Sequence, residues 1–195
     1  MSGVKEECRY NVIPSFHVSK NVFCDIVHDP LEGVCRYVML KVVKYLTVSK
    51  HFFLLDKLNQ RISTFNFDHS SQPVYIARSQ LKGHTLVTSA VEMPDLVLAF
   101  GLMVGDLVTE GDDCWEVYLL MRKVVVFSCW KRFSNEDLVY MRILIAKFLA
   151  EYTRVYGCSL SLKFHNLTVQ FNSSSFGQQH RTHQLLVQCS HHNES

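Results

Sequence analysis

The sequence predicts a mainly α-helical protein with few short strands. Apolar residues recur at three- and four-residue intervals in successive segments, which is the spacing of one helix face. Most of these segments open with an Asp or Ser that is suited to cap a helix, whereas strand-like pieces are short. The 195 residues are 48% hydrophobic and 19% charged, which excludes a disordered chain and fits one ordinary domain.

The first two predicted helices span about 30–48 and 51–65. Asp29-Pro30-Leu31-Glu32 opens the first, with an N-cap acid, a proline at the first helical position and an acid at the third. The second, shorter helix is predicted from apolar residues at helical intervals. These are Phe52, Leu55, Leu58 and Ile62.

A loop over 66–88, with a short strand at 74–76, separates these helices from three more. The third helix, 89–107, opens with the capping box of Ser89 and Glu92. The fourth covers 112–130.

The longest predicted helix, 134–156, starts at Ser134-Asn135-Glu136-Asp137 and stops at Gly157. From about residue 170 the periodic apolar pattern gives way to polar residues, so we expect a disordered tail.

The charge balance is nearly neutral, so it gives no sign of a strongly basic nucleic-acid-binding protein. Twenty Lys and Arg stand against 18 Asp and Glu, a formal net charge of +2. Two local basic clusters are interpreted as solvated helix faces, with phosphate-tracking surfaces as the alternative. They comprise Arg36, Lys41, Lys44 and Lys50, and Arg122, Lys123, Lys131 and Arg132.

Cysteine usage and hydropathy indicate an intracellular protein. The seven cysteines are widely spaced and include no C-x-x-C pair, so we expect reduced thiols. The charged N-terminus, 1–9, has no apolar stretch of the kind a signal peptide needs. The longest apolar run, Leu96–Val104, is too short to span a membrane, so no membrane partner is expected.

The segment Asp25–Val34 is the most informative for chemistry. It places four ionisable groups within eight residues, where a strand-like piece enters a helix start. Such a site suits a hard divalent cation such as Mg²⁺. The alternative is structural, because Asp29 and Glu32 are explained by helix capping, and Asp25 and His28 also occur as ordinary surface residues.

This segment resembles a motif of CACTA-type (En/Spm-like) DNA transposases. The family phrase is close to D-I-M-H-D-L-L-E-G-V and follows F-H-V; here Phe16-His17-Val18 precedes Asp25–Val34. Further similar segments follow in the same order, and the likeness covers about 3–168. They are Asp56–Ile62, Phe65–Phe67, Ser89–Met93, Cys114–Leu120 and Leu162–Leu167.

The resemblance implies the helical part of an RNase H-like α/β core with a helical insertion. In that family three acids hold two Mg²⁺ ions, which activate water or a 3′ hydroxyl for attack on phosphate. Asp25 then matches the second acid, His28 its companion and Glu92 the third acid. DNA would be the partner and the nucleus a possible location. For Glu92, the third position of a capping box is the structural alternative.

The first acid of the family has no counterpart, because 1–24 contains Glu6 and Glu7 but no Asp. We therefore predict a degenerate, transposase-derived protein that lacks complete catalytic machinery and retains nucleic-acid interaction, with Mg²⁺ only if a family-like site survives. The first alternative is a helical protein–protein interaction module with no nucleic-acid role, which self-associates or binds a partner. A second is a nuclease whose first acid comes from another chain. On this interpretation 1–168 is a partial catalytic region and 169–195 a polar tail.

The tail carries a second group of candidate ligands within thirteen positions. Zinc needs four such ligands, but this spacing matches no closed structural site. We therefore interpret the group as a chance clustering of His and Cys in a polar tail. Its members are His180, His183, Cys189, His191 and His192.

Overall fold

The computed structural model describes residues 33–67, 75–89, 92–128 and 134–157, together with 160, 163, 164 and 167. These residues are mainly helical, as predicted, and none of them lies in a β-strand. Among the described helices, none combines the length and the apolar character that crossing a bilayer would need. The Asp25 motif, the zinc-type tail and the expected disorder after residue 170 lie outside the described residues.

Helix α1 (Arg36–Lys44) confirms the first predicted helix within the described part. It is preceded by π-helical residues 33–35 and continues as a π-helical turn over Tyr45–Ser49. His51 then takes a left-handed conformation, with φ of 54°. The Phe52 N–H donates to the Leu46 carbonyl at 2.9 Å, which closes the helix end.

Helix α2 (Leu55–Thr64) begins later than the predicted 51–65, because the chain is still turning at His51. The strand predicted at 74–76 is wrong for its described residues, Tyr75 and Ile76. The buried Asn59 side chain replaces a strand partner: its Oδ1 accepts from the Ile76 N–H at 2.9 Å and its Nδ2 donates to the Ile76 carbonyl at 3.0 Å. Ile76 is thereby buried with its backbone groups satisfied.

Helices α3 (Glu92–Val104), α4 (Asp113–Ser128) and α5 (Asn135–Tyr156) confirm the remaining predicted helices within the described part. A 3₁₀ turn over Gly105–Leu107 extends α3. Gly157 ends α5 as predicted, with φ of 58° and its N–H donating to the Thr153 carbonyl at 2.9 Å.

Helix α4 is the centre of the packing, since α1, α3 and α5 all contact it. Its buried residues lie on more than one side of the helix, which matches contact with three neighbours. They are Cys114, Val117, Tyr118, Leu120, Met121, Val124, Val125 and Ser128. The apolar faces of the helices therefore cover one another without a sheet among the described residues.

Tyr118 fixes α4 to the middle of α3. Its buried hydroxyl accepts from the Gly101 N–H at 2.7 Å and donates to the Val97 carbonyl at 2.9 Å. The hydroxyl thus lies between the Gly101 N–H and the Val97 carbonyl, which would form a direct hydrogen bond with each other in a regular α-helix. A Cβ on Gly101 would lie 2.9 Å from this hydroxyl, so the contact requires glycine.

Candidate functional site

Glu92 is the one residue of the implied acid set that the structure describes, since Asp25 and His28 lie outside it. Glu92 is half-buried at the start of α3. Its Oε2 accepts a hydrogen bond from the Ser89 N–H at 2.8 Å, and its own N–H donates to Ser89 Oγ at 3.1 Å. The predicted capping box is confirmed, and it accounts structurally for an acid at this position.

A metal centre around Glu92 is not assembled by the described residues alone. Within the described ranges, no three His, Cys, Asp or Glu side chains come close enough together to hold a metal ion. One oxygen of the Glu92 carboxylate, Oε2, already accepts the capping hydrogen bond from the Ser89 N–H. A Mg²⁺ site that includes Glu92 would need ligands from outside the described residues, where Asp25 and His28 lie.

The described cations of the two predicted basic clusters divide into two sets. Arg36, Lys41 and Arg122 are half-buried, whereas Lys44, Lys50 and Lys123 are exposed. The solvated-face interpretation is therefore wrong for the first set and holds for the second.

The half-buried cations serve the fold. Arg36 donates to the Thr88 carbonyl, and Arg122 Nε donates to the Leu98 carbonyl at 3.2 Å. The Lys41 ammonium lies 5.0 Å and 4.6 Å from the ring centroids of Tyr152 and Tyr156. Cations held by carbonyls and aromatic rings are less available to phosphates.

A partly buried polar contact joins α4 to the end of α5. Cys114 Sγ and the Tyr156 hydroxyl are 2.8 Å apart. Burial raises the pKa of the Cys114 thiol to about 12 and also raises the pKa of Tyr156. A thiol whose pKa is raised in this way is a poor nucleophile at neutral pH, so this contact is structural.

An open groove of about 320 Å³ lies between α3, α4 and the residues that follow α2. Phe65 and Phe67, whose ring centroids are 4.8 Å apart, line one part of it, and Asp95 and Arg122 supply its charges. Since Arg122 already donates to Leu98, the groove offers little convergent polar chemistry for a ligand.

The outer side of α5 exposes three large apolar residues, which we call the α5 patch. Val139, Tyr140 and Ile143 are 53%, 46% and 62% exposed. They line a shallow depression of about 360 Å³ together with Asn135 and Glu136. One side of the Tyr140 ring packs on Phe127, with 5.0 Å between centroids, so the ring is held in place.

Sequence reasoning missed the α5 patch because it followed only the core-facing period of this helix. That period is confirmed by the buried residues Met141, Leu144, Ile145, Phe148, Leu149 and Tyr152. A helical projection at 100° per residue places Val139 and Ile143 on the side of the helix opposite this stripe. This projection alone could have predicted an exposed apolar surface on α5.

The comparisons with known proteins leave the family open. No protein-family model matches the chain, and no curated protein or solved structure shows a significant match to it. The described geometry therefore has to carry any functional assignment.

Proposed function

We propose that this protein is a transposase-derived helical module that binds a protein surface through the α5 patch and does not cleave DNA. The transposase origin rests on the ordered resemblance over about 3–168. The binding function rests on the α5 patch, where three exposed apolar residues lie together on one helix and line one depression.

The observation that supports this proposal is the contrast between the two sides of α5. Contiguous exposed apolar side chains are unfavourable in water, and removing them from water on binding is the main favourable term of most protein–protein association. Tyr140 suits an interface, since its ring is already ordered by Phe127 and carries a polar hydroxyl.

Protein binding is favoured over DNA binding by what the cations contact. Arg36, Lys41 and Arg122 are used within the fold, and Arg61 pairs with Asp106 and donates to the Met103 carbonyl. A DNA-binding surface instead presents several exposed cations that neutralise phosphates. Retained nucleic-acid interaction stays as the second candidate, supported by the exposed Lys44 and Lys123.

Site-specific photo-crosslinking tests the proposal. A photoreactive phenylalanine analogue is placed at Val139, and the control carries it at Lys57, which is also exposed but lies on α2. In cells that make the protein, we expect a crosslinked protein product at position 139 and little at position 57. Equal products at both positions, or none at position 139, would contradict the proposal.

The DNA alternative has its own measurement on the same purified protein. We expect retention on duplex DNA to be weak at about 0.15 M salt, and Mg²⁺ or Mn²⁺ to produce no nicking. Retention that falls steeply with salt and is lost when Lys44 and Lys123 are replaced by Gln would favour the DNA candidate. Metal-dependent nicking that disappears in Asp25→Ala would overturn the non-catalytic assignment.

A further inference from the structure

We infer that the partner of the α5 patch is a second copy of this chain, paired through antiparallel α5 helices about a twofold axis. This inference rests on the proposed function, because it names the partner of the same surface. It is carried by the order of residues along the outer side of α5, where apolar residues lie between an acid and a base.

The outer side of α5 has the spacing of a helix–helix seam. Glu136, Tyr140, Ile143 and Lys147 follow one another at intervals of four, three and four residues, and all four are exposed. This spacing keeps the four side chains on one stripe, as in coiled coils. The stripe covers 11 residue steps, or about 16 Å at 1.5 Å per residue.

The charges of this stripe select the antiparallel orientation. Glu136 lies at its N-terminal end and Lys147 at its C-terminal end. An antiparallel twofold pair sets Glu136 opposite Lys147 of the second copy twice, and Tyr140 opposite Ile143 of the second copy twice. A parallel pair in register would instead set Glu136 opposite Glu136 and Lys147 opposite Lys147, which is repulsive.

Both charged residues are available for this pairing. None of the ion pairs formed among the described residues involves Glu136 or Lys147. The acid and base thus complement each other only across two copies, because 11 residues separate them on one rigid helix. A seam of about three turns is short, so the association is reversible and depends on concentration.

Sedimentation equilibrium with charge-swap variants tests the inference. We expect wild-type protein to show a monomer–dimer equilibrium, and Glu136→Lys and Lys147→Glu each to weaken it about tenfold, because each creates two like-charge contacts. The double variant restores the wild-type constant to within about threefold, because the pairs are exchanged but still complementary. Ile143→Ser, which removes apolar contact at the centre, abolishes the dimer.

Three outcomes would overturn the inference: a wild-type monomer at all concentrations, single variants that dimerise like wild type, or a double variant weaker than both. Circular dichroism of each variant verifies that the helices are intact. If position 139 crosslinks to a different protein while the wild type stays monomeric, this inference fails and the proposed function stands. If position 139 crosslinks to nothing, the proposed function itself fails.

Discussion

Helices α3 and α5 begin in the same way and differ in what they leave for function. Each starts with a serine whose N–H donates to an acid three residues later at 2.8 Å, while the acid's N–H donates back to the serine at 3.1 Å. The acid of α3 is Glu92, which the resemblance marks as catalytic. The acid of α5 is Asp137, to which no chemical role is assigned.

Glu92 and Asp137 thus make the same two hydrogen bonds at the start of their helices. Capping geometry alone therefore does not distinguish an acid that the resemblance marks as catalytic from one that only caps a helix. The functional difference lies further along the two helices. The middle of α3 is held by Tyr118 of α4, whereas the first half of α5 turns the α5 patch towards solvent.

The largest expected effect separates the two sides of α5 with a matched pair of isoleucines. Ile145 is 2% exposed and Ile143 is 62% exposed. Ile145→Ala is expected to lower the free energy of unfolding by about 2–5 kcal/mol, because it leaves a cavity in the core. Ile143→Ala is expected to change it by no more than about 0.5 kcal/mol in dilute protein.

Chemical denaturation of both variants checks this contrast. A cost at Ile143 similar to that at Ile145 would mean that another part of the chain already covers the α5 patch. The comparison between the two sides of α5 would then collapse.

Alkaline pH tests whether buried groups on α4 hold both neighbouring helices. Burial raises the pKa of Cys114, at the α5 end, and of Tyr118, at α3, each to about 12. The folded protein keeps these protons at pH values where the unfolded chain, with ordinary pKa values near 9 for the thiol and 10 for the phenol, releases them. Stability that is fully present below pH 9 is therefore lost progressively as the pH rises towards 12, first through Cys114 and then also through Tyr118.

Thermal melts from pH 7 to pH 11 measure this loss. In Cys114→Ala the decline is expected to begin nearer pH 10, because the remaining contributions come from Tyr118, Tyr45 and Tyr156, whose pKa values the fold also raises. A melting temperature that stays constant from pH 8 to pH 11 would show that these protons are not linked to folding.

The anchoring of α3 is tested at Gly101. Gly101→Ala places a Cβ 2.9 Å from the Tyr118 hydroxyl and is expected to destabilise the protein by about 1–3 kcal/mol. Tyr118→Phe removes the clashing oxygen, so Gly101→Ala is expected to cost less in that background. Equal costs in both backgrounds, measured in a double-mutant cycle, would refute the proposed contact.

The smallest expected effect concerns the two capping acids. Glu92→Gln and Asp137→Asn each remove a charge near a helix N-terminus and are each expected to cost about 0.3–1 kcal/mol. The two costs should agree closely if Glu92 serves only as a cap. A much larger effect of Glu92→Gln on DNA retention or on metal response, absent in Asp137→Asn, would restore the catalytic interpretation of Glu92.

Local signals predicted most of the described helices correctly. The boxes at Ser89 and Ser134 and the glycine at position 157 act through bonds within a few residues, so the sequence itself contains the partners. The outer side of α5 was also within reach of the sequence, through the same periodicity that identified its core-facing side.

Features that depend on distant neighbours were not predictable in this way. Asn59 satisfies the backbone of Ile76 across 17 positions, which removes the expected strand. Lys41 lies over Tyr156 because α1 and α5 approach each other at that point. The Mg²⁺ site implied by the resemblance stays a prediction, because Asp25 and His28 lie outside the described residues.

Hydroxyl-radical labelling of two exposed tyrosines tests the central claim most directly. Tyr140 lies in the α5 patch and is 46% exposed, whereas Tyr75 lies outside it and is 62% exposed. The account predicts that both are labelled in dilute purified protein, and that in cells Tyr140 becomes protected while Tyr75 does not. Equal labelling of Tyr140 in both settings, or protection of Tyr140 already in the dilute protein, would contradict the claim that this surface binds a partner.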